Sequence, residues 1–209
     1  MAMPSRNVLK IDIANSYYHV YARGASRQEI FREDSDYYIF LSLFRRYLSD
    51  EAIKDSAGMP YAKLGEDIEL LCYCLMPNHF HLLVYQVNEH AMQRLMRGVM
   101  TAYSRYFNKK YDRSGGLFES RYKASLVSTD LYLMHISRYI HLNPKDWQNY
   151  PYSSLEGYLY GHNKDWLREG RIIELFASRK AYGEFVADYE SIKESLSLIK
   201  HSLANNNDE

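Results

Sequence analysis

The chain has 209 residues, 46% of them hydrophobic and 25% charged, with 26 Lys+Arg set against 26 Asp+Glu. This length and composition fit an ordinary globular protein with one sizeable core and exclude a disordered or fibrous class. A net charge of zero excludes any global pull toward nucleic acid or anionic lipid, so a polyanion site must come from local charge.

Residues 16–23 (SYYHVYAR) are rich in aromatic and β-favouring side chains and end at Gly24, which predicts a strand. Asp34 or Ser35 can cap a helix on which Tyr38, Leu41, Phe44 and Leu48 recur at helical spacing. A polar loop over 51–67 leads to two apolar strands, 68–75 and 80–86, joined by Met76-Pro77-Asn78 as an antiparallel hairpin. Residues 91–110 form a second helix with a stripe of Met92, Leu95, Met96, Val99, Tyr103, Tyr106 and Phe107. A break at 112–116 precedes a short edge strand, 124–128. Thr129 or Asp130 then caps a third helix, which ends near Asn143 because Pro144 disfavours helical geometry before it.

The order β-α-β-β-α-β predicts an α+β fold, a ferredoxin-like sandwich with an antiparallel sheet and helices on one face. The expected division is a domain over 1–145 and an extension over 146–209 with helical patterns at 171–177 and 180–200. Cys72 and Cys74 share one strand face at a spacing that suits neither a redox pair nor a zinc knuckle, so both are expected free and buried. The N-terminal residues lack an apolar h-region and no run approaches the roughly 18 apolar residues of a membrane span, which predicts a soluble, cytoplasmic protein.

Charge is uneven. Between Ala91 and Ala124 eight basic residues face two acids, while the chain after Tyr182 carries six acids and two lysines. A basic middle suits a polyanion and an acidic end can mimic or repel one; an ordinary solvated face is the alternative. Twenty-one tyrosines supply rings suited both to core edges and to surfaces that meet bases.

The chemistry concentrates in Met76-Pro77-Asn78-His79-Phe80-His81-Leu82-Leu83. Side chains alternate along a strand, so His79 and His81 point to one side while Phe80 anchors in the opposite face. On the third helix His135, Tyr139 and Asn143 recur at i, i+4 and i+8, beside an apolar stripe of Leu133, Ile136 and Ile140 that faces the sheet. Two imidazoles and an amide oxygen make a three-ligand site for a divalent ion with open positions. Tyr139, one turn before Asn143, can attack a phosphodiester held there and conserve its bond energy as a phosphotyrosine. Tyr132 is a rival nucleophile two turns earlier, Tyr103 and Tyr106 belong to a core stripe, and His135 is a polar surface residue or a base. His19 reads as a packed or hydrogen-bonded side chain.

His79-Phe80-His81 resembles the HUH motif of single-strand DNA endonucleases. Further segments widen the likeness to the single-tyrosine transposases of small bacterial insertion sequences. These are Tyr18-His19-Val20-Tyr21-Ala22-Arg23-Gly24, Tyr103-Ser104-Arg105-Tyr106-Phe107-Asn108, 116–123, and Ser137-Arg138-Tyr139-Ile140-His141-Leu142-Asn143-Pro144 with Tyr152-Ser153-Ser154. The chain is most similar to their REP-associated relatives. The resemblance implies Tyr139 as nucleophile, His79, His81 and Asn143 as ligands of Mg²⁺ or Mn²⁺, and single-stranded or hairpin DNA as partner. It implies cleavage and rejoining beside hairpin repeats by a monomer or a homodimer. Arg23, Arg94, Arg97, Arg105, Lys109, Arg121 and Lys123 are the candidate DNA contacts. A DNA-binding regulator with the same fold and no cleavage, and a metallohydrolase using activated water, are the alternatives.

Overall fold

A computed structural model describes residues 12–161 and 164–188, and in it the alternating apolar runs form one four-stranded antiparallel sheet. Strands β1 (Ser16–Arg23), β2 (Ile68–Met76), β3 (His79–Gln86) and β4 (Lys123–Val127) lie in the order β2-β3-β1-β4. Helix α1 (Asp34–Leu48) joins β1 to β2 and α2 (Ala91–Lys110) joins β3 to β4. This is the ferredoxin-like topology.

The two faces of the sheet have different covers. Tyr18, Val20 and Ala22 of β1 and Phe80, Leu82 and Val84 of β3 share one buried cluster with α1 and α2. The Phe40 ring lies 5.1 Å from Phe80 and 4.9 Å from Tyr103. Phe80 is thereby held as the anchor between the two histidines. The opposite face carries Cys72, Cys74 and Leu83, and packs against Leu133, Ile136 and Ile140 of α3 (Asp130–His141). Leu155 and Tyr158 of α4 (Leu155–Tyr160), Ile172 of α5 (Gly170–Ile173) and Tyr182 and Val186 of α6 (Arg179–Ala187) belong to the same cluster. The helices of the sandwich keep to one face as the pattern predicts, and α3 with the extension adds a layer on the other.

Several local expectations shift. Helix α1 is capped by Glu33 in a capping box with Asp36, one residue before the expected cap. Its buried stripe is Tyr37, Phe40, Phe44 and Leu48, and Tyr38 is 63% exposed. Five consecutive apolar or aromatic residues (37–41) allow either stripe, and packing against the sheet selects one. Both strands of the hairpin extend into the turn, so Met76 pairs with His79 across Pro77-Asn78 alone. A bulge between Leu70 and Cys72 lets Leu71 and Cys72 both enter the second core. Both cysteines are free and buried. Helix α4 has no counterpart in the sequence reading. The expected helix over 180–200 appears as α6, and its part beyond residue 188 lies outside the described residues, as does most of the acidic end.

Two backbone devices hold the hairpin turn in place. The Pro77 carbonyl accepts from Ile30 N (2.7 Å) and Phe31 N (3.0 Å), and the Asn78 carbonyl accepts from Gly24 N (2.8 Å). A Cβ on Gly24 would stand 2.2 Å from the Gln28 carbonyl oxygen, so only glycine allows this close approach. Along the outer edge of β2, Leu75 N donates to the Tyr152 carbonyl and Ser154 N to the Tyr73 carbonyl, which closes an otherwise open strand edge. Among the described residues no helix is long and apolar enough to cross a membrane.

Candidate functional site

The antiparallel register sets Tyr21 opposite His81 and Arg23 opposite His79, on the sheet face that meets α3. His79 is half-buried and His81 is buried. Their rings lie 5.1 Å apart at 87°. Helix α3 starts with the Thr129 side chain accepting from Tyr132 N and ends at His141. Asn143 therefore lies beyond the helix, its N–H held by the Ile140 carbonyl at 3.4 Å, and the expected helical i+8 relation stops one residue past the last turn. Pro144 accounts for the early end.

Asn143 still reaches the histidines. Its Oδ1 lies 3.2 Å from His79 Nε2. On the other side of the same ring, His79 Nδ1 is 2.6 Å from Asn78 Oδ1. His81 Nδ1 is 2.9 Å from His19 Nε2, with the two rings within 14° of parallel. The Tyr139 ring stands edge-on to both, 5.5 Å from His81 and 6.0 Å from His19.

Burial dominates the electrostatics. It holds His81 well below the usual imidazole range, reinforced by His19, His79 and Arg23. Burial also lowers His79, opposed by the nearby Asn143 side-chain oxygen, which favours a proton on the ring. Both are therefore neutral at pH 7 and able to offer a lone pair. Burial raises the Tyr139 phenol, while a side-chain hydrogen bond with Asn143 and the charge of Arg23 lower it.

The donor set is chemically coherent for a divalent ion: two neutral imidazoles and an amide oxygen on one small patch. Among the described residues no group of three or more His, Cys, Asp or Glu side chains could hold a metal, so any such site here depends on Asn143.

The other candidates divide. Arg23 is exposed and borders the histidines. Lys123 pairs with Tyr21 on the same face, its Nζ 5.9 Å from the Tyr21 ring. Arg121 is exposed just before β4. Arg94, Arg97, Arg105 and Lys109 lie on α2, across the sheet from the histidines, and Arg94 is ion-paired with Asp67 at 2.6 Å. The structure does not bring these four to the site. His135 hydrogen-bonds Arg138 at 2.8 Å and packs by Phe185, away from the sheet histidines. Tyr103 donates to the Ile30 carbonyl and Tyr106 to Asp36, both on the α1–α2 side.

The sequence model of the family described as "Transposase IS200 like" matches residues 12–143. The chain belongs to this family. The match runs from just before β1 to Asn143, so it takes in every residue of the cluster above. The chain is also similar in fold to the structure of a REP-associated tyrosine transposase bound to a REP hairpin. That likeness has a TM-score of 0.52 at 12% identity and covers 78% of this chain and 90% of the other. A structure from Deinococcus radiodurans R1 with a provisional transposase assignment gives a TM-score of 0.40 at 16% identity, over 63% and 93% of the two chains. No curated protein matches.

Two side chains that contact the histidines are not marked as such by the sequence. Asn78 is legible in the sequence only as a turn residue, and His19 as a packed or hydrogen-bonded side chain, which it is, without its partner being visible. The His19–His81 contact depends on strand register, which one sequence does not display, and the Asn78–His79 contact depends on the conformation of the hairpin turn.

Proposed function

We propose that this transposase is a single-strand DNA endonuclease and transesterase that cuts and rejoins DNA beside hairpin repeats. The observation that carries the reading is the meeting of His79, His81, Asn143 and the Tyr139 phenol on the sheet face that packs against α3. His79, His81 and Asn143 would hold Mg²⁺ or Mn²⁺, which when bound supplies Lewis-acid polarisation of the phosphate oxygens.

The protein's own groups do the rest. Tyr139 Oη forms a bond to phosphorus as the bond to the 3′ oxygen breaks. The phenol loses a proton, the departing 3′ oxygen gains one, and the 5′ end stays on the tyrosine as a phosphodiester. Reversal by another 3′-hydroxyl rejoins DNA without external energy. Asn143 favours the phenolate by its hydrogen bond, and Arg23 adds positive charge that both lowers the phenol and attracts the phosphate. Tyr21 is the neighbouring phenol, its ring 5.8 Å from His81.

The test is a labelled hairpin oligonucleotide with a single-stranded flank, incubated with the protein and Mn²⁺. A protein–DNA adduct should form with wild type and with Tyr21→Phe and vanish with Tyr139→Phe. An adduct that survives Tyr139→Phe removes the nucleophile assignment. Hairpin binding with no adduct on any flank would favour a binding regulator, and cleavage with both ends free would favour activated water.

A further inference from the structure

Each histidine of the candidate metal site has its Nδ1 occupied by a neighbour that is not itself part of the site. Asn78 Nδ2 donates to the Arg27 carbonyl at 3.3 Å, which fixes the amide so that Oδ1 faces His79 Nδ1 at 2.6 Å. An amide oxygen only accepts, so His79 must carry its proton on Nδ1. Its Nε2 is then a bare lone pair aimed at the Asn143 side-chain oxygen Oδ1, 3.2 Å away. Two acceptors facing each other repel unless a cation lies between them.

The second histidine shows the same arrangement on a different element. His19 stands on β1, two residue pairs further along the β1–β3 ladder than His81 and so on the same sheet face, and is fully buried. Its Nε2 meets His81 Nδ1 at 2.9 Å. One of the two nitrogens donates. If His81 donates, its Nε2 is free for a ligand bond, and His19 carries its own proton on Nδ1. That nitrogen is buried without a hydrogen-bond partner among the described residues. Leaving a buried donor unpaired is costly, and such costs persist where a fixed geometry is needed.

We propose that His19 and Asn78 are positioning residues that commit His81 and His79 to the Nδ1–H form and turn both Nε2 lone pairs toward one divalent cation. Outer partners of this kind fix the tautomer and ring orientation of metal-bound histidine. The inference rests on the metal-site reading given under the proposed function. It goes beyond it by assigning work to two residues that touch neither the cation nor the DNA.

Mn²⁺ alone is the probe, with bound and free ion measured by electron paramagnetic resonance and no DNA present. His19→Phe and Asn78→Ala should each weaken Mn²⁺ binding by about 10- to 100-fold. His19→Gln should recover most of the loss, because its Oε1 can accept where His19 Nε2 did. Nitrogen NMR of the metal-free wild type should show His79 and His81 both protonated at Nδ1. A His81 proton on Nε2 overturns the proposal, and so does wild-type Mn²⁺ affinity in both His19→Phe and Asn78→Ala when His79→Ala has lost it. If His79→Ala itself binds Mn²⁺ like wild type, the metal-site reading has failed first and the outer partners have nothing to position. The NMR measurement needs no variant and decides the matter even if His19→Phe does not fold.

Discussion

Asn143 Oδ1 and His79 Nε2 face each other at 3.2 Å, and this contact ties the residue just past α3 to the first residue of β3. The same amide also bonds the Tyr139 phenol. One side chain thus links the candidate nucleophile to the candidate metal ligands, and its position depends on where the helix stops.

Asn143→Ala should uncouple them. The variant should lose Mn²⁺ affinity by at least about tenfold, since a direct ligand matters no less than an outer partner. The Tyr139 phenol should titrate higher, because burial then acts without the opposing bond. Metal titration and a spectroscopic tyrosine titration read the two effects separately. Unchanged metal affinity would remove Asn143 from the ligand set.

Much of this arrangement is legible in the sequence because it follows from short-range periodicity. Alternation in His79-Phe80-His81 puts Phe80 in the core and both imidazoles on the other face, and the structure has them so. Strand order follows from the βαββαβ sequence of elements. What stayed hidden depends on long-range pairing. His19 meets His81 only because β1 and β3 pair in one register, and a shift of one residue would turn His19 into the opposite core. The stripe of α1 was ambiguous because residues 37–41 are apolar or aromatic throughout, and only the sheet decides between Tyr37 and Tyr38. Helix α4 is six residues long, too short for a periodicity signal.

Acid should destabilise the fold at a higher pH than carboxylate protonation alone would. Burial depresses His19 and His141 to about 3 and holds His81 well below 6.5. The unfolded chain binds these protons near pH 6.5 and the folded chain does not, so stability is full above about 6.5 and falls as pH drops below it. Each histidine contributes a slope of about 1.4 kcal/mol per pH unit in that window. Urea midpoints between pH 7.5 and 5 should show it. His141 bonds Tyr182 Oη at 2.7 Å and Ser154 Oγ at 2.8 Å, so His141→Gln, which keeps polar reach without the titration, should reduce the slope by about one proton. An unchanged slope would show that His141 is not held neutral.

The acidic end calls for a cut placed by the structure. Removing everything after Tyr182 would delete Phe185 and Val186, which pack in the second core with Tyr182 and α3, and should destabilise the fold by about 2 kcal/mol or more. A cut after Asp188 spares them and removes Glu190, Glu194, Asp208 and Glu209 against Lys193 and Lys200. Hairpin DNA affinity should rise in this second variant, and the gain should shrink in high salt. Equal or weaker binding at low salt would show that the acidic end does not oppose DNA.

Arg23 and Arg97 separate a site contact from general surface charge. Arg23 borders His79 on the α3 side of the sheet, whereas Arg97 is exposed on α2 across the sheet. If DNA lies along the histidine face, Arg23→Ala should weaken hairpin binding in EDTA and reduce the salt slope by about 0.7, the value for one single-strand phosphate. Arg97→Ala should leave both unchanged. EDTA matters here because Arg23 also lowers His79, His81 and Tyr139, so a measurement with metal present would mix phosphate contact with altered ligand chemistry. Equal losses from the two variants would place the DNA across both faces and detach the basic α2 surface from its present role as bystander.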